Sequence, residues 1–158
     1  MEAARRHLSV TEEESKKVSG MVVPPHKSGE YPSFYENLSL RGLQIHSARP
    51  GLISCSFKVP PHLTDRSGNF AAGAIANLVD EIGYAAVYVE GTPMSVSVNM
   101  SISYLSPAKA HDELEITSKA LGRRGSYSGT LVVLRNKQTG EVVAEGRHSL
   151  FAPPASKI

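Results

Sequence analysis

The chain of 158 residues contains one cysteine, Cys55. A single thiol cannot close an internal disulfide. No disulfide framework is therefore expected, and Cys55 fits a reducing compartment or a small buried hydrophobe. Charge of one sign is also scarce: 17 Lys and Arg stand against 15 Asp and Glu, a net +2. The basic residues are scattered among acidic ones, which argues against a nucleic-acid partner. Long uninterrupted apolar runs are missing too. The longest, residues 71–89, is broken by Asn77, Asp80 and Glu81. Each of these is costly in lipid, so no membrane partner is expected. The first twenty residues lack the apolar centre of a secretory signal, and Glu12-Glu13-Glu14 speaks against an organelle transit peptide. Without a signal, the N-x-S matches at Asn37 and Asn99 read as chance. No internal repeat is visible, and the six histidines show no metal-ligand spacing, so neither metal nor cofactor is expected.

What remains suffices for one domain with its own core. Residues 1–30 read as a mobile N-terminal extension. Within it, Thr11 and Glu14 have capping-box spacing for a short helix over 11–18, and Pro24-Pro25 marks a linker. Residues 31–152 form the expected domain, and 153–158 an exposed C-terminal tail. The tripeptide Ser156-Lys157-Ile158 differs from the peroxisomal address S-K-L only at its last position. The peroxisome is thus one expected location, the cytoplasm the other.

Strand-like runs at 43–47 and 52–59 flank the turn signal Arg49-Pro50-Gly51. A Pro-, Asp- and Gly-rich loop over 60–69 leads into a long helix, with Asn69 as its expected cap. Residues 95–104 alternate strictly, Val96, Val98, Met100, Ile102 and Tyr104 against Ser95, Ser97, Asn99, Ser101 and Ser103. Further strands are expected at 113–121, 127–136 and 141–151, the last two as a hairpin around Lys137-Gln138-Thr139-Gly140. Strands around a single helix predict an α+β fold, an antiparallel sheet packed on that helix.

At 100° per residue, Ile75, Leu78, Val79, Ile82, Ala86 and Val89 form one apolar stripe for the sheet. Asp80 falls on the other side with Gly73, Ala76, Asn77, Tyr84 and Val87. That second face is small and apolar rather than rich in Lys and Glu, so it invites a partner, most simply a second copy of the chain. A solvated or base-paired Asp80 is the plainer alternative. For the serine face of residues 95–104, the alternative is a wet face of an antiparallel sheet.

The stretches "DRSGNFAAGAIANLVDEIG", "SVSVNMSISYLSPAK" and "NKQTGEVVAEGRHSLF" resemble the hotdog-fold thioesterases, and in particular the small single-domain acyl-CoA thioesterases related to the phenylacetate-degradation type. The likeness spans residues 34–150. It implies a hotdog fold, a sheet wrapped around one central helix, assembled as a homodimer or homotetramer with shared active sites. It implies hydrolysis of a fatty or aromatic acyl-CoA. Asp80 matches the catalytic carboxylate of the helix. Ser97 matches a strand hydroxyl that helps hold the attacking water and that the family supplies from a different subunit. The family polarises the carbonyl with the N–H of the glycine following the histidine of a His-Gly-Gly turn. Here that turn reads Ala71-Ala72-Gly73, so the donor is Ala72 and the histidine side chain is lost. A loop asparagine that binds the carbonyl is Asp65 here. An ionised carboxylate cannot donate a hydrogen bond and repels an oxyanion. These changes leave open a catalytically weak hotdog protein that binds acyl-CoA or a related ligand. Substrate contacts are expected at Asn69, Phe70, Gly73 and Asn77, with Arg66, Lys109, Arg123 and Arg124 as candidate cations for the coenzyme A phosphates.

Overall fold

The structure is a computed structural model that describes residues 2–25, 27, 32–88 and 94–152. The chain divides after Asn37 into two units, 1–37 and 38–158. The first carries α1 (Glu2–Leu8), which the sequence pattern did not announce, and α2 (Glu12–Ser19). The capping box closes as expected: Thr11 Oγ1 accepts from the Glu14 amide at 3.2 Å and donates to the Glu14 carboxylate at 2.8 Å. The helix α3 (Phe34–Leu40) spans the division. The C-terminal tripeptide and Val89 lie outside the described residues.

The second unit holds the sheet: β1 (Leu43–Arg49), β2 (Leu52–Lys58), β3 (Val96–Tyr104), β4 (Glu113–Arg124), β5 (Tyr127–Asn136) and β6 (Val142–Phe151). Every pairing is antiparallel, in the order β1-β2-β4-β5-β6-β3. The helix α4 (Ala72–Ala85) packs against this sheet, which is the expected α+β arrangement. Its predicted stripe is the buried one: Ile75, Leu78, Val79, Ile82 and Ala86 join Cys55, Phe57, Leu114, Ile116, Val132 and Leu134 in one core. Each large aliphatic side chain buried in this way contributes on the order of 1.5–3 kcal/mol. Cys55 is free, and burial pushes its thiol up to about 11, an inert hydrophobe rather than a reactive group.

Two glycines set how closely helix and sheet approach. Gly146 on β6 lies beneath Val79, and a Cβ there would stand 2.5 Å from Val79 Cγ1. Gly83 on α4 lies over His148 and Thr130, at 2.9 and 3.0 Å from the same hypothetical atom. Val79 is itself fully buried and cannot swing out into solvent. Gly146→Ala should therefore lower stability by about 1–3 kcal/mol through overpacking, read as a lower midpoint in urea with an unchanged slope.

The strand β3 is an edge of the sheet and differs from its sequence pattern in one respect. Its pairing with β6 runs Val96 to Phe151 and Ser97 to Leu150, then resumes at Asn99 to Ser149 and Met100 to His148. Val98 is thus an extra residue, a β-bulge. Plain alternation puts Ser97 on the face opposite Met100, Ile102 and Tyr104. The bulge inverts the phase, so Ser97 shares the helix-facing side with Leu150 and His148.

Candidate active site

Bulge and helix together bring the two leading candidates into contact. Ser97 Oγ donates to Asp80 Oδ1 at 2.7 Å. Both belong to one chain, which corrects the expectation that this pair is assembled from different subunits. The Asp80 side chain is 42% exposed, so one side is held by the sheet and the other is open.

A third residue completes the group and was not recognised from the sequence. His148 sits on β6, opposite Met100, fully buried, with Nε2 at 3.2 Å from Asp80 Oδ1. The contact is close but not aligned as a hydrogen bond, and neither ring nitrogen has a hydrogen-bond partner. Burial pushes the imidazole below its ordinary value, while the Asp80 carboxylate pulls the other way. Burial is the larger influence, so His148 is neutral at neutral pH. The signal was present in β6: Ala144, Gly146, His148 and Leu150 alternate inward, and a histidine in such a row is a buried titratable group. Ser97 and His148 both address Oδ1, which leaves Oδ2 as the basic atom for a substrate or water.

The start of α4 forms a second centre. Ala71 is the N-cap, in extended geometry (φ −64, ψ 136), and has no side chain with which to cap. Its own amide is bonded to Leu63 O at 2.9 Å. The amides of Ala72, Gly73 and Ala74 belong to the first turn, which has no intrahelical acceptors, and carry the positive end of the dipole. Asn69 does not cap the helix, contrary to expectation. Its side chain accepts from Lys109 Nζ at 2.5 Å, and its backbone bridges to Lys109. This long-range tie fixes the loop before the helix, so the capping role is lost to tertiary structure.

Beside this turn lies a cavity of about 330 Å³ walled by Phe70, Ala72, Ile75, Tyr104, Leu105 and Pro107, with Asp65 and Asn69 at its edge. The volume is at the small end for a ligand site. Tyr104 Oη donates to Ala72 O at 3.2 Å, which braces the turn from the edge strand. Asp65 does border the cavity, but its carboxylate is engaged within its own loop. Oδ1 accepts from the amides of Ser67 at 2.8 Å and Asn69 at 3.0 Å. Its negative charge remains near the turn, while these two lone-pair partners are set by the loop rather than by a ligand.

The remaining candidates divide between the two ends of β3. Arg66 and Lys109 are exposed and directly follow Asp65 and Ala108, which line the cavity. Arg123 and Arg124 line a separate hollow of about 340 Å³ with Tyr127 and Ser149. Strand register carries Arg123 through Ser128 and Leu150 to Ser97, so the arginine pair shares the Ser97 end of the sheet. Arg123 Nε donates to Gly125 O at 3.0 Å, its own turn. Gly73 is exposed on the first helical turn, and Asn77 is half-buried with Nδ2 unpartnered. Among the described residues no group of three His, Cys, Asp or Glu side chains could hold a metal ion, and no helix is long and apolar enough to cross a membrane.

A sheet wrapped on one helix, with a carboxylate held by a strand hydroxyl and a bare helix N-terminus beside a cavity, defines a hotdog hydrolase. Comparison with known proteins agrees. Residues 67–149 match the family described as Thioesterase superfamily, and the chain belongs to that family. It is 40% identical to acyl-coenzyme A thioesterase 13 of Homo sapiens over 109 residues, 68% of this chain and 77% of that protein. The crystal structure of zebrafish thioesterase superfamily member 2 superposes with a TM-score of 0.71 at 34% identity, covering 78% of this chain and 89% of that one. A thioesterase protein from Streptococcus pneumoniae TIGR4, solved with coenzyme A, superposes with a TM-score of 0.66 at 25% identity over 70% of this chain and 85% of that one.

Proposed function

We propose that the chain hydrolyses acyl-CoA thioesters to the free acid and coenzyme A, in active sites built from two copies. The observation that carries the two-copy arrangement is a distance. Ala72 and Asp80 are eight residues apart on one helix, about 12 Å along its axis. A reacting carbonyl must lie roughly 3 Å from both its attacking group and its oxyanion donor. Even with a water between Asp80 and the carbonyl, one chain could bring both groups to the same carbonyl only in a fully stretched line, which favours drawing them from two chains.

The free edge of β3 supports the way a second copy closes this gap. It is nine residues long and carries neither charge nor proline, and Val96 and Val98 are 55% and 54% exposed. Such an edge is a template for strand pairing. Antiparallel pairing of two β3 strands sets the Tyr104 end of one against the Val96 end of the other. The Ala72 turn and cavity of one copy then face Asp80, Ser97 and the arginine pair of its partner. A dimer of this kind is the minimal unit, whether the assembly is a homodimer or a homotetramer.

In this arrangement the acyl group enters the apolar cavity, and the carbonyl oxygen meets the Ala72 N–H. Asp80 Oδ2 orients a water and takes its proton as the oxygen attacks the carbonyl carbon. The tetrahedral oxyanion is held by the Ala72 amide and the helix dipole. Collapse reforms the carbonyl, breaks the C–S bond and releases the thiol, which recovers the proton. Ser97 holds Oδ1 by its hydrogen bond, with His148 Nε2 close beside it, and Oδ2 stays aimed outward. Arg123, Arg124, Arg66 and Lys109 are the candidate cations for the coenzyme A phosphates, and the coenzyme A-bound streptococcal neighbour supports that ligand class. Peroxisomal location rests on Ser156-Lys157-Ile158 alone.

Thiol release from a panel of short, long and aromatic acyl-CoAs tests the reading. Turnover on at least one member is expected. Saturable acyl-CoA binding with no turnover on any member would make the chain a binding protein instead.

A further inference from the structure

Beneath α4 the sheet carries a buried polar pair, of which the reaction as described uses only one member, His148. Thr130 and His148 are direct cross-strand partners on β5 and β6, and both side chains are fully buried. Thr130 Oγ1 and His148 Nδ1 have no hydrogen-bond partner. Leaving such groups unpaired costs about 1–3 kcal/mol apiece, so a partner within reach of a small rotation is strongly favoured. The two atoms converge: each lies within 3.0 Å of the point where a Cβ on Gly83 would stand. Glycine at 83 leaves that space to them.

The chemistry of His148 fixes what its partner must be. A neutral imidazole has one donor and one acceptor nitrogen. The Asp80 carboxylate, ionised, only accepts, so a productive contact needs the proton on Nε2. The Nδ1 atom is then an acceptor and requires a donor. Thr130 supplies a hydroxyl on the opposing strand. We propose that Thr130 is a positioning residue whose O–H donates to His148 Nδ1, locks the Nε2–H tautomer and turns it onto Asp80 Oδ1. The inference rests on Asp80 being the group that acts on the thioester. Thr130 never touches substrate. It acts through His148, which in turn fixes the direction of the free Asp80 oxygen.

Ser118 provides a control. It is also fully buried with an unpartnered hydroxyl, but it sits opposite Val132 on β4, not opposite His148. The test combines kinetics with nitrogen-15 NMR of the His148 ring in Thr130→Val, Thr130→Ser and Ser118→Ala. Wild type should show a neutral ring protonated at Nε2. Thr130→Val should mix the tautomers and lower kcat on the order of tenfold with KM unchanged, Thr130→Ser should restore both, and Ser118→Ala should alter neither. A wild-type ring protonated at Nδ1 would overturn the inference, whether or not any variant folds. So would a folded Thr130→Val protein with unchanged tautomer and kcat. If Asp80→Asn is inactive while Thr130→Val is unaltered, the role of Thr130 alone is refuted; if Asp80→Asn keeps full turnover, the underlying reading fails.

Discussion

Asp80→Asn should reduce acyl-CoA turnover on the order of 10²–10⁴-fold while the protein folds and binds acyl-CoA as before. The substitution is nearly isosteric. The amide oxygen of Asn can still accept from Ser97 and sit beside His148 Nε2, the two neighbours of Oδ1. The side chain is 42% exposed and lies off the core stripe, so neither packing nor burial changes. What is lost is the basic atom that takes a proton from water. Kinetics should show the fall in kcat, and circular dichroism and ligand titration should show the rest intact. A structural Asp80 would give the reverse pattern, lower stability or altered assembly with turnover preserved.

The second large effect is expected at Ala72. Proline there removes one N–H and little else, because Ala72 is the first residue of the helix, where proline is well accommodated. The preceding Ala71 already has the extended geometry that a following proline demands. The Ala72 carbonyl can still accept from Tyr104. Ala72→Pro should thus keep helix and cavity but lose the oxyanion donor, lowering kcat by roughly 10²–10³-fold with a small change in KM. This also bears on the turn itself. The histidine side chain of the family is absent at Ala71, and glycine is absent at Ala72, yet the backbone N–H proposed to polarise the carbonyl is present on the first residue of the helix.

Much of this site was legible in the sequence, for identifiable reasons. The helix stripe at Ile75, Leu78, Val79 and Ile82 and the odd carboxylate behind it follow from a period of 3.6, which local residues determine. The strand β3 follows from alternation, but the bulge at Val98 does not: no glycine or proline marks it, and it arises from how β3 registers against β6. Alternation alone therefore put Ser97 on the wrong face, and only the family resemblance paired it with Asp80. His148 escaped notice because its importance depends on an element 68 positions away along the chain, through the contact to Asp80. Asn69 was misread as a cap because a partner forty residues on, Lys109, claims its side chain. The loop role of the Asp65 carboxylate was not legible either, because it depends on how the chain turns at residues 65–69.

The central claim is that one working site draws on two chains, Ala72 from one and Asp80 with Ser97 from the other. It is tested most directly by co-refolding Asp80→Asn with Ala72→Pro, each separately tagged so that hybrids can be isolated. Either variant alone should be nearly inactive. A hybrid dimer has one site with both defects and one site with neither. A random equal mixture should therefore recover about one quarter of wild-type turnover. Isolated hybrids no more active than the two parents would place Ala72 and Asp80 in the same chain's site and contradict the account.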